Sequence, residues 1–89
     1  MAKAAAALEA AATDDRMAMA RALGVLANSR TGGNRPLMDL VVYIQSGKAP
    51  LEWAASTFDI IRDAVCQGDM DKAQEWAEMA VANKPADGV

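Results

Sequence analysis

Eighty-nine residues make room for one domain, and although 53% of them are hydrophobic, 21 are alanines and only four are aromatic, so large side chains to fill a core are few. The absence of histidine removes imidazole as base or metal ligand, and a single cysteine rules out a disulfide framework or a thiolate metal site. A net charge of −3 sets the chain as a whole against free duplex nucleic acid, and no apolar run approaches the ~18 residues that a membrane span requires.

The start, Met1-Ala2-Lys3-Ala4, shows no hydrophobic core followed by a cleavage site, so no signal peptide is expected and a cytoplasmic location is. Residues 2–12 hold the strongest helix-forming composition in the chain, with Leu8 as the only large apolar side chain. With nothing else to anchor it, this stretch is expected to fray or face solvent, or to lay its alanines against a second subunit. Thr13 can cap a helix, and Asp14 and Asp15 complement the positive end of the helix dipole. Arg16 stands where a capping box wants an acid, so one helix over 2–29 and two helices meeting near Thr13 both fit. Beyond it Met19, Leu23, Leu26 and Ala27 recur at helical spacing with Ala20 beside them, while Arg16 and Arg21 lie off the stripe.

Ser29 to Arg35 reads as a loop: Gly32-Gly33 stops the preceding helix, Asn34 can cap the next, and Pro36 suits a first turn. Leu37, Leu40, Val41 and Ile44 then form a stripe at i, i+3, i+4, i+7. The run Leu40–Ile44 is also rich in strand formers, but a lone strand would find no partner, so a helix is expected, ended by Ser46-Gly47. Pro50 opens a third helix with two apolar stripes, one of Leu51, Ala55, Phe58, Ile61 and Val65, the other of Trp53, Thr57, Ile60 and Ala64. A helix apolar on two sides sits between neighbours, so this one is expected at the centre of the core. Gly68 ends it and Asp69 caps a fourth helix with a small-residue face of Ala73, Ala77 and Ala80. Asn83-Lys84-Pro85 terminates that helix, and 86–89 is a tail. The expectation is a single all-α domain over 1–89, a bundle of about four helices with a long alanine-rich first helix.

Residues 54–85 resemble one tetratricopeptide repeat. Gly68-Asp69, Ala73, Ala80 and Pro85 fall at that repeat's spacing, and the run from Gly68 to Ala80 is similar to the start of its second helix. Glycine turns such a hairpin, and alanines let the two backbones approach closely. The repeat's aromatic, leucine-glycine and tyrosine positions fall here on Thr57, Ile60-Ile61 and Ala64, which depart from the pattern. One repeat is also fewer than the roughly three that bury a core. The resemblance therefore implies a helical hairpin, and the family's peptide binding is not carried over.

No catalytic constellation emerges. The carboxylate pairs Asp14/Asp15, Asp59/Asp63 and Asp69/Asp71 lack the histidines of a helical di-metal site and read as solvated acids. Cys66 reads as a buried small hydrophobe. Neither GxGxxG nor GxxxxGK[ST] is present. No enzyme activity, cofactor or metal is expected. The composition best suited to a ligand is Arg30, Thr31, Gly32, Gly33, Asn34 and Arg35: exposed backbone N–H groups and two guanidinium groups ahead of a helix start, fit for an anion, a nucleotide or a partner's carboxylates. Trp53, Trp76 and Met79 are candidates for a partner interface, because tryptophan at a half-exposed edge is enriched in binding hot spots.

Charge is unevenly spread. Residues 1–49 carry six basic and four acidic groups, residues 50–89 three and eight. The reading that follows is a non-catalytic protein-binding module, a small inhibitor or adaptor acting as a homo-oligomer, its acidic half suited to a partner with a basic surface. Alanine codons begin with GC, so the alanine excess points to a GC-rich bacterial, plasmid or phage genome, for example a phage or plasmid product that blocks a host protein. An anion- or nucleotide-binding module using Arg30–Arg35 is the alternative, and a DNA-binding helix-turn-helix around that loop is disfavoured by the acidic balance.

Overall fold

The structure, a computed structural model, describes residues 2–28 and 35–85. They form α1 (Ala2–Ala10), α2 (Arg16–Asn28), α3 (Arg35–Gln45), α4 (Leu51–Cys66) and α5 (Met70–Ala82), with no strand among the described residues. The all-helical expectation holds. The long first helix does not, because the chain breaks into α1 and α2.

The break is an N-cap. The Asp15 carboxylate accepts hydrogen bonds from the Met17 and Ala18 backbone N–H groups at 3.0 and 3.2 Å, which satisfies donors a new helix leaves open. Asp15 N–H donates back to Ala12 at 3.2 Å, closing the turn. Of the three capping residues in a row, the third takes the role, two positions beyond Thr13. The reversal lets α1 fold back onto α2 and α4. Ala4 and Leu8 are completely buried there, which is the anchor that a lone leucine among alanines did not announce.

The helices close a ring in space: α1 packs on α2, α2 on α3, α3 on α5, α5 on α4 and α4 back on α1, with α2 and α4 also in contact across the middle. Leu23 and Leu26 of α2, Leu37, Leu40 and Ile44 of α3, and Phe58 and Ile61 of α4 meet in the core, all without solvent exposure. The expected stripes of α2 and α3 are therefore the core faces. No polar or charged residue is buried among those described. Arg16, at the start of α2, spans to the α3–α4 turn, where its Nε and Nη2 both donate to the buried Ala49 carbonyl at 3.2 and 2.9 Å.

The α4–α5 hairpin is built by local rules. Gly68 takes φ +79°, a left-handed conformation open to glycine at little cost. Its N–H donates to Val65 and that of Asp69 to Ala64, both at 2.9 Å, the paired bonds of a Schellman ending. The Asp69 carboxylate then accepts from Lys72 N–H at 3.0 Å and starts α5. Ala73 and Ala77 are fully buried, so α5 lies close against its neighbours. This is the helical hairpin that the repeat resemblance implied. The first stripe of α4 enters the core as expected, with Phe58, Ile61 and Val65 buried. Of the second stripe only Ala64 is buried; Trp53 and Thr57 are half-buried and Ile60 is 40% exposed, so α4 is covered on one side and open on the other.

Candidate functional site: the groove between α4 and α5

The open side of α4 meets α5 in a surface groove of about 210 Å³. Trp53, Thr57 and Ile60 come down one wall at i, i+4, i+7, and Trp76, Met79, Ala80 and Asn83 form the other. Trp53, Trp76 and Met79, singled out separately in the sequence, thus share one depression. Met79 is 47% exposed, and both tryptophans are half-buried. A second depression of about 210 Å³, lined by Asp63, Ala64, Gln67 and Lys72, shares Ile60 and Trp76 with the first, so the groove continues toward the Gly68 turn and gains polar groups as it goes.

The α4 wall is supported by α3. Tyr43 of α3 packs edge-on against Trp53, with ring centroids 5.2 Å apart at 81°, and the Lys84 ammonium stands 5.0 Å from the centroid of the tyrosine ring. Asn83 closes the end of α5: its side-chain amide donates to Met79 O at 2.8 Å. On the outer face of α4, Arg62 pairs with Asp59, and the Gln67 amide donates to Asp63 at 3.2 Å. The two helices are acidic: Glu52, Asp59 and Asp63 on α4 and Asp71, Glu75 and Glu78 on α5 are all exposed, and of these Asp63 lines the second depression.

The sequence reading missed Thr57, Ile60, Ala80 and Asn83 as parts of a surface. The signal was present for Thr57 and Ile60, which share a stripe with Trp53 on a helix that already had a complete core face.

Elsewhere the expected sites come out differently. Residues 29–34 lie outside the described residues, so of the glycine-arginine loop only Arg35 is placed; it is exposed and its Nε pairs with Asp39 at 3.4 Å, one turn along α3. Cys66 corrects an expectation: it is exposed, not buried. It sits one turn past Arg62 and three residues past Asp63, on the polar side of α4, and its Sγ donates to Glu9 Oε1 of α1 at 3.2 Å. That hydrogen bond, with slight desolvation and the glutamate's negative charge, pushes the thiol above its ordinary range. Asp15 and Asp69 are helix caps, and no cluster of metal-ligating side chains is found among the described residues. A larger depression of about 470 Å³ lies between α3 and α5; Val42, Tyr43 and Val81 line it together with Asp39, Lys48 and Lys84, so its walls carry both signs of charge. No helix of the described residues is long and apolar enough to cross a membrane. Compared with protein families, curated proteins and solved structures, the chain gives no match.

Proposed function

We propose that this chain is a non-catalytic protein-binding module, a small inhibitor or adaptor, that presents the α4/α5 groove to its partner. The observation that carries the reading is the convergence of Trp53, Trp76 and Met79 on one groove with an exposed apolar floor. Half-buried tryptophans in a concave patch are the usual anchors of binding energy, and methionine adapts to a partner's shape. The groove lies along the surface seam of two helices, a shape that suits the inserted side chains of a protein. The acidic excess of residues 50–89, three basic against eight acidic groups, favours a partner with a basic surface and disfavours nucleic acid.

Capture from a lysate of the source organism tests this, with wild type and Trp76→Ala as paired baits. A protein retained by wild type and lost with Trp76→Ala, a cost of about 2 kcal/mol or more, at unchanged helical circular dichroism, is the expected result. Identical capture by both baits would remove the groove from the reading.

A further inference from the structure

Resting on that reading, we propose that the groove's occupant is a cationic amphipathic helix of about four turns. Three observations carry this.

The first is shape. The groove lies between two antiparallel helices and runs from Trp53 to Gln67 along α4. At ~1.5 Å per residue those positions span about 21 Å, the length of a 14-residue helix. A third helix laid between two others is also the packing these faces lack: α4 meets α1, α2 and α5 on its other sides, and Trp53, Thr57 and Ile60 meet none of them fully.

The second is the order of chemistry along the groove. The lining is mostly apolar at the Trp53–Met79 end and mixed at the other, where Asp63, Gln67 and Lys72 join Ile60, Ala64 and Trp76. An occupant with large apolar anchors at i, i+4 and i+7 on one half of its buried face, and polar groups on the other half, matches it.

The third is charge. α4 and α5 expose six carboxylates, Glu52, Asp59, Asp63, Asp71, Glu75 and Glu78, against Arg62, which pairs with Asp59, and Lys72, with Lys84 just past the end of α5. Lysine and arginine on both flanks of the occupant would meet them. A second copy of this chain laid groove to groove fits poorly, because it would bring two acidic hairpins together.

The probe is a set of fluorescein-labelled 14-residue synthetic helices titrated against the full chain and read by anisotropy. One has a leucine face with lysine flanks, one the same face with glutamate flanks, and one the lysines without the leucine face. The leucine–lysine peptide should bind, should weaken about thirtyfold with Met79→Glu, and should weaken as salt is raised. Met79 is half exposed, so that change leaves the fold in place, which circular dichroism checks. Glu75→Lys should weaken the same peptide and strengthen the leucine–glutamate one. Equal binding of both leucine-faced peptides, with the Met79→Glu loss retained, overturns the cationic occupant and leaves the groove reading standing. Binding of the lysine-only peptide as tightly as the leucine–lysine one, indifference to Met79→Glu, or no binding of any peptide overturns the amphipathic helix altogether. The groove reading then stands or falls on the Trp76→Ala capture.

Discussion

Replacing Leu8 by alanine tests the least expected feature of the fold. Leu8 is completely buried and is the only large apolar side chain in α1; Ala4 is completely buried beside it. A nine-residue helix has no stability of its own, since isolated helices below ~12–15 residues are marginal, so α1 is helical because it is docked. Burying a leucine contributes about 1.5–3 kcal/mol, and core leucine-to-alanine changes cost about 2–5 kcal/mol. At the edge of the bundle α1 can shift to close part of the cavity, so the lower half of that range, about 2–3 kcal/mol, applies. That is comparable to the whole gain from docking a helix made otherwise of alanines, and the expected outcome is release of α1 ahead of the rest. Cys66 reports the release. In the docked state its thiol donates to Glu9 and is held above the ordinary range by that bond and by the carboxylate's charge. Removing Glu9 lowers the pKa, enlarges the thiolate fraction at a given pH, and speeds reaction with a disulfide reagent. Leu8→Ala should therefore label faster near pH 8 and lose ellipticity confined to α1, while Glu9→Ala should label faster with full ellipticity. Wild-type labelling and wild-type ellipticity in Leu8→Ala would refute the docking argument.

Phe58 has no solvent exposure at the centre of α4, so Phe58→Ala should cost about 3–5 kcal/mol, much of the ~4–13 kcal/mol expected for a domain of this length; an unchanged urea midpoint would move α4 out of the core. Association between copies predicts a thermal midpoint that climbs with protein concentration, and a constant midpoint with a monomer mass by light scattering would exclude it.

The parts of the fold written in large side chains were legible. Leu37, Leu40, Val41 and Ile44 mark the buried face of α3 by period alone, and Gly68-Asp69 marks the α4–α5 turn because few residues reach a φ of +79° or cap a helix so well. What alanine writes was not legible. Ala4 is buried and Ala6 exposed, yet the two are identical in the sequence, and only the fold-back at Asp15 distinguishes them. That fold-back was blurred by three consecutive capping residues, among which tertiary packing chooses. Cys66 was misplaced by its residue type, which is most often buried, although Arg62 and Asp63 just before it mark a polar face. Trp53, Trp76 and Met79 were found by composition, but their meeting in one groove depends on the hairpin's geometry.

The closing of the helix ring through α5 has a consequence for synthesis. α3 touches only α2 and α5 extensively, and α4 has its longest seam with α5, so two faces wait for the helix that leaves the ribosome after the other four. Until it does, the sides of α3 and α4 that α5 covers are open to water, and Ala73 and Ala77 have nothing to be buried against. The same event that dries those faces supplies the second wall of the groove, because Trp76 and Met79 ride on α5. Folding and readiness to bind are thus acquired in one step: a nascent chain stalled before Met70 has neither a finished core nor a groove to offer a partner.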